Sequence, residues 1–396
     1  MVPTSSGLLR AALIALLAAT AGAAATAPAH AGPISFANAK TSWTGGLGGP
    51  GVHENSSSAA DFDNDGDPDV VTANYFTGVG PTVMTNRGDG TFRTPGRVLP
   101  VGLLVGTVIT GDVNEDGNQD IVATNFVKAV VLLGRGDGTF RTGDTYLVVQ
   151  GGQEDAALHD LDGDGHLDLT ILTRYGVSVQ MGRGDGGFGS PRITIIGPAN
   201  LPSPLMSGFA IADIDGDATP DLYAADAGLQ TVYAMRGDGD GTFTQRGTGT
   251  TVLVPGTMLA TDLDNDGIDD AVVLNEFNVP GHNTAVLLAN GSGGLGSARS
   301  YASGLIPATG EVGDFDEDGN NDVVSSDTVG SQIVVLQGDG TGKLTKAVGK
   351  SVSLFQQTPV VADFDGDGRQ DIGAAGSSTG LALGLTGLSI LRNTSP

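Results

Sequence analysis

The chain has 396 residues, of which 45 are acidic and 19 are Lys or Arg, for a net charge of −26. That balance excludes a nucleic-acid surface and adhesion to anionic lipid, both of which need clustered cations. With 64 glycines, 5% aromatics and no cysteine, the chain is rich in tight turns and has no disulfide to brace it.

The first segment reads as an export signal. Arg10 forms a minimal basic region, an apolar Ala/Leu run follows from 11 to about 25, and Ala29-His30-Ala31 offers a small-residue cleavage site. Removal near Ala31 would leave residues 32–396 as one secreted domain. No second long apolar run occurs, so membrane insertion is not expected.

After it, a nine-residue acidic pattern occurs seven times, with oxygen-bearing side chains at positions 1, 3, 5 and 9. Loop 1 carries Asp61, Asp63, Asp65 and Asp69; loop 2 carries Asp112, Asn114, Asp116 and Asp120; loop 3 carries Asp160, Asp162, Asp164 and Asp168. Loop 4 carries Asp213, Asp215, Asp217 and Asp221, and loop 5 carries Asp262, Asp264, Asp266 and Asp270. Loops 6 and 7 carry Asp314, Asp316, Asp318 and Asp322, then Asp363, Asp365, Asp367 and Asp371. The loops begin 48 to 53 residues apart, a period that marks a propeller or solenoid.

Each period divides into four short strands. A small-residue stretch such as Thr107-Val-Ile-Thr110 leads into the loop, and a β-branched run such as Asp120-Ile-Val-Ala-Thr124 leaves it. A third run (Ala129-Val-Val-Leu-Leu133) ends at a Gly-Asp-Gly turn that opens a fourth strand at Thr139-Phe140. No helical period is sustained after the signal. The fold class is therefore all-β, a seven-bladed β-propeller of four-stranded antiparallel blades. The last repeat runs out of chain at its third strand, Leu388–Asn393, whereas Pro33-Ile-Ser-Phe36 resembles the missing Gly-Thr-Phe segment. Residues of about 34 to 43 are predicted to close the seventh blade, hiding a free edge.

Alternating carboxylates on a tight loop suit calcium, which takes six to eight oxygens. Positions 1, 3, 5 and 9 supply side chains, position 7 a carbonyl, and the Gly at position 6 a positive φ. Position 2 is apolar throughout and should anchor each loop. An EF-hand is excluded: it needs Glu at position 12, where loops 1 and 3 have Thr72 and Ile171, and it needs flanking helices. Asn114 in loop 2, and Ala218 in place of Gly in loop 4, make those two loops the weakest expected sites.

Other motifs read as background. The Arg-Gly-Asp triplets at Arg87, Arg135, Arg183 and Arg236 fall at the turn between third and fourth strands. Gly376-Ser-Ser-Thr-Gly380 has no downstream His and no helix to form a nucleophile elbow. Aromatic residues recur after the second strand: Tyr75, Phe76, Phe126, Tyr175 and Phe277, with Arg174 and His282 nearby. By strand parity they share the face opposite the acidic loops, where they either bind a ligand or pack on neighbouring blades.

The combination of Asp-x-Asp-x-Asp-Gly-x-x-Asp, a Val/Ile/Ala strand and Leu-Leu-Gly-x-Gly-Asp-Gly-Thr-Phe over 132–140 resembles the FG-GAP/VCBS repeat family, similar to the propeller of integrin α chains. The resemblance spans essentially all of 32–396. It implies up to seven structural calcium ions between the first two strands of the blades, on the face opposite the usual partner face. The expected function is a monomeric, non-enzymatic binding or adhesion module for a glycan or protein ligand. A lyase-type polysaccharide enzyme is the alternative, and a purely structural role the third reading.

Overall fold

The computed structural model describes residues 33–47, 57–73, 80–148, 152–198, 205–251, 254–275, 283–327, 330–352, 355–377 and 385–396. Residues 1–31, read above as an export signal, lie outside the described residues. The described chain opens with strand β1 (Lys40–Leu47). Blade 1 follows as β2 (Ser57–Ala60), β3 (Asp69–Thr72), β4 (Thr82–Met84) and β5 (Arg97–Val98). Blade 2 is β6 (Thr107–Gly111), β7 (Asp120–Thr124), β8 (Lys128–Gly134) and β9 (Phe140–Leu147). Blade 3 is β10 (Gly152–His159), β11 (Asp168–Thr173), β12 (Gly176–Gln180) and β13 (Arg192–Ile195). Blade 4 is β14 (Met206–Ala212), β15 (Asp221–Asp226), β16 (Thr231–Gly237) and β17 (Phe243–Thr250). Blade 5 is β18 (Pro255–Thr261), β19 (Asp270–Asn275), β20 (Thr284–Leu287) and β21 (Arg299–Tyr301). Blade 6 is β22 (Pro307–Gly313), β23 (Asp322–Asp327), β24 (Gln332–Gly338) and β25 (Leu344–Ser351). Blade 7 takes β26 (Phe355–Ala362), β27 (Asp371–Ser377) and β28 (Leu385–Leu391), and borrows β1 as its outer strand.

The first strands touch in sequence, from β2 to β6 and on to β26, and β26 returns to β2. This is a closed ring of seven antiparallel blades, with no helix among the described residues. The Val/Ile/Ala runs after the loops are buried along their whole length, as strands covered on both faces by neighbouring blades must be. The core lies between blades. Position 2 anchors it: Phe62, Val113, Leu161, Ile214, Leu263, Phe315 and Phe364 are all buried. Phe62 meets Phe140 of the next blade edge-on, with ring centroids 5.4 Å apart.

Closure is as the missing strand requires. Lys40 pairs with Ile390 and Trp43 with Gly387. Phe36 bridges Asn393, the same place that Phe92, Phe188 and Leu295 take opposite Asn86, Gly182 and Ala289 in blades 1, 3 and 5. Phe36 is buried against Phe315, 5.7 Å between centroids. Past Trp43 the register shifts, and pairing resumes at Leu47 opposite Leu385, four residues beyond the expected limit.

Candidate metal centres

Every acidic loop joins the first strand of its blade to the second, so all seven lie on one face of the ring. Each is built around its first aspartate. In loop 1 the Asp61 carboxylate accepts the backbone N–H of Asp65 at 3.2 Å and of Gly66 at 3.0 Å. Loop 7 repeats this, with Asp363 accepting from Gly366, Asp367 and Gly368. The fifth-position aspartate accepts the N–H two residues on, as Asp65 does from Asp67 and Asp318 from Asn320. These bonds wrap the loop so that its carboxylates converge.

Position 6 has the left-handed backbone expected for Gly, from φ 95° at Gly66 to φ 63° at Ala218. Position 4 is left-handed as well, which sequence reading missed: Asn64, Glu115, Asn265 and Glu317 lie between φ 56° and 58°. Asn tolerates that region and Glu does not favour it, so two of these loops carry strain that their order must offset.

The ninth position is the most buried. The Asp322 carboxylate accepts the N–H of Phe315 at 2.9 Å and of Gly338 at 2.8 Å, fastening the loop to the end of the third strand. Asp69, Asp120, Asp168, Asp221, Asp270 and Asp371 are bonded in the same way. Burial is the chief cause that pushes Asp69, Asp120, Asp270 and Asp322 up to about 7, against the donated N–H groups and with neighbouring aspartates adding to the rise. Asp168, Asp221 and Asp371 are pushed up to about 6 for the same reason.

Third-position aspartates supply the test of whether a cation fits. Oδ1 of Asp63, Asp215, Asp264, Asp316 and Asp365 is buried and has no hydrogen-bond partner. A buried, orphaned carboxylate oxygen is costly unless something positive meets it. In loops 1, 3, 4, 5 and 6, one oxygen from each of positions 1, 3 and 9 lies within 4.8 Å of the others. Oxygens so spaced can share one ion at calcium-like distances of about 2.3–2.6 Å. The loops are therefore candidate divalent-cation sites. In loop 2, Asn114 replaces the carboxylate and its Nδ2 donates to Asp116 at 3.0 Å.

The loops also touch one another. Asn64 donates to Asn118 at 2.9 Å, Asn265 to Asn320 at 2.8 Å, and Glu115 is hydrogen bonded to His166. In each pair, position 4 of one loop meets position 7 of the next. The carbonyls of Phe62, Val113, Leu263 and Phe364 accept the N–H of Gly138, Gly186, Gly342 and Gly90 from the following blade's glycine-rich turn, Gly-Asp-Gly in three cases and Gly340-Thr341-Gly342 in blade 6. These four turns are thus docked on the preceding loop.

Three of the Arg-Gly-Asp triplets sit at that turn, and Asp89, Asp137 and Asp185 accept N–H groups of their own turns. The fourth does not, which corrects the sequence reading. Arg236 and Gly237 are still in β16, the turn falls at Gly239–Gly241, and Arg236 reaches over its own acidic loop.

On the opposite face, Phe126 and Tyr175 are exposed in the turns after β7 and β11, and the Arg174 guanidinium lies 5.8 Å from the Tyr175 ring centroid. Tyr75, Phe76, Phe277 and His282, named with them above, lie outside the described residues. Aliphatic side chains extend the rim: Leu104, Val127, Leu147, Leu205, Leu229 and Leu305 are exposed at the same ends of their blades. Single leucines in loops gave no signal in the sequence.

A ring of four-stranded antiparallel blades, each with an aspartate-rich loop between its first two strands, defines a seven-bladed propeller with repeated acidic cation-type loops. The FG-GAP-like repeat profile matches residues 61–123, 112–169, 160–224, 213–273 and 314–374, and the chain belongs to that family. Its structure is similar to that of BBS1N in complex with ARL6DN, at 10% identity and a TM-score of 0.61 over 92% of this chain and 99% of that chain. A Lactobacillus plantarum protein matches at 14% identity and a TM-score of 0.52, covering 75% of this chain and 84% of that chain. An Agrocybe aegerita lectin that recognises non-reducing terminal N-acetylglucosamine aligns at 21% identity and a TM-score of 0.49, covering 74% of this chain and 78% of that chain. Such identities carry the fold alone. Among curated proteins none matches significantly in sequence.

Proposed function

We propose that this is an exported, calcium-braced propeller that binds a ligand through the rim opposite its acidic loops, without catalysis. The observation that carries the calcium reading is the set of buried, partnerless Oδ1 atoms on Asp63, Asp264, Asp316 and Asp365. Calcium supplies the missing positive charge, tolerates irregular oxygen sets and suits loops held by backbone bonds. Magnesium demands stricter octahedral geometry and fits less well. Export is supported by the N-terminal signal pattern.

The rim supports a binding role. Among the described residues its exposed side chains include Phe126 and Tyr175 and a larger number of aliphatic ones, with Leu147 70% and Val127 56% exposed. Sugar recognition leans on flat aromatic faces, whereas mixed aliphatic and aromatic patches suit a protein surface. A protein ligand is therefore favoured over a glycan.

Two measurements test the proposal. Metal-free protein titrated with calcium should gain bound ions and a higher melting temperature; no uptake refutes the calcium reading. Pull-down from extracellular fractions, beside a glycan array and an acidic-polysaccharide lyase assay, should yield a protein partner whose capture weakens at least tenfold in F126A/Y175A. Unaltered capture by that variant refutes the rim assignment, and lyase turnover refutes the non-enzymatic reading.

A further inference from the structure

One position recurs at the end of the third strand of each blade, and in blades 4, 6 and 7 its side chain reaches the acidic loop. It is the residue before the N–H that holds the ninth-position aspartate, and it is Thr85, Leu133, Met181 and Leu288 in blades 1, 2, 3 and 5. In blade 6 it is Gln337, whose Nε2 donates to Asp316 Oδ2 at 2.6 Å. In blade 7 it is Arg392, which makes one longer bond of 3.3 Å to Asp365 Oδ2.

Blade 4 goes further. Arg236 Nε donates to Asp215 Oδ2 at 3.0 Å and its Nη2 donates to Asp217 Oδ2 at 2.7 Å. One guanidinium thus spans two of the four loop carboxylates, a charge-assisted arrangement that its planar fork favours. The other Asp217 oxygen accepts the Thr219 N–H at 2.8 Å, so both of its oxygens are engaged. Both oxygens of Asp213 accept backbone N–H groups, from Gly216 and Ala218, and both of Asp221 do so from Ile214 and Gly237. Only Asp215 Oδ1 remains without a partner. An ion entering loop 4 would have to compete for Asp217 and would sit beside a fixed positive charge. The same loop has Ala218 where every other has Gly.

We infer that Arg236 is a tethered counterion that takes the place of calcium in loop 4, so that blade 4 is ordered without metal and the ring binds fewer ions than it has loops. This rests on the calcium reading of the other loops. The test substitutes the residue that blade 6 carries at the same position. Wild-type protein and R236Q, each calcium-saturated, are compared by native mass spectrometry for bound ions, and each is melted with and without calcium. R236Q should hold one more calcium ion than wild type. It should also melt several degrees below wild type when metal-free, with the gap closing as calcium is added. An unchanged ion count in R236Q, while wild type binds calcium, overturns this inference alone. Wild-type protein that binds no calcium overturns the calcium reading and this inference with it.

Discussion

Removing metal at two pH values should expose the charge state of the ninth-position aspartates. In the metal-free ring Asp69, Asp120, Asp270 and Asp322 stand at about 7, against 3.8 for an ordinary aspartate. A carboxyl raised on folding keeps its proton more tightly in the folded state, so stability is fully present below the unfolded value and is lost as pH rises through the folded one. Between pH 5.5 and 8 the loss is about 2 kcal/mol for each such carboxyl, on the order of 8 kcal/mol for the four. A typical domain is stable by only about 5–15 kcal/mol. Metal-free protein should therefore melt far lower at pH 8 than at pH 5.5, and it should be partly unfolded at the higher pH. Under the calcium reading added calcium should reverse the slope, because an ion binds deprotonated carboxylates and is displaced by protons. Protein passed over a chelating resin and melted in a calorimeter, with and without added calcium, gives both curves. A metal-free melting temperature that stays level or climbs between pH 5.5 and 8 would refute the reasoning.

Other consequences are local. Ala218→Gly should raise stability by about 1 kcal/mol in denaturant unfolding, since the φ of 63° is one that a Cβ disfavours. Asp322→Ala strips the acceptor from two buried N–H groups, those of Phe315 and Gly338, and should cost about 2–5 kcal/mol in calcium-saturated protein. A loss below 1 kcal/mol would show that water or the ion, not this carboxylate, holds the third strand. Phe36→Ala should cost about 3–5 kcal/mol by emptying the contact with Phe315 at the ring's junction. A much smaller thermal shift would mean that β1 closes the blade by backbone pairing alone.

Much of the molecule is legible in the sequence because it repeats. Seven copies of the acidic pattern fixed the number of blades, and the apolar position 2 announced its burial at Phe62 and its six counterparts. The unpaired third strand at the end of the chain pointed to Phe36 and β1. What stayed hidden lies across blades or against local preference. The left-handed backbone at Glu115 and Glu317 has no signal, since Glu is not a turn residue and is held there by the loop around it. The pairing of Asn64 with Asn118 joins residues a whole repeat apart, which no local pattern marks. Arg236 was masked by the triplet it begins: the motif resembles those in blades 1 to 3, but its register places the guanidinium over the loop instead of in the turn.

Blades 1 to 6 are each drawn from one continuous stretch of chain, but blade 7 joins residues at opposite ends, such as Ser35 and Thr394, whose hydroxyls meet at 2.9 Å. A chain made from its N-terminus can complete six blades in order, while β1 waits with an open edge. Only when Leu385–Leu391 arrives can β1 find its partner. Closing the ring therefore needs a contact between strands far apart in the chain, with the slow loop closure that such separation brings. The pairing of β1 with β28 thus acts as a clasp that holds the circle shut.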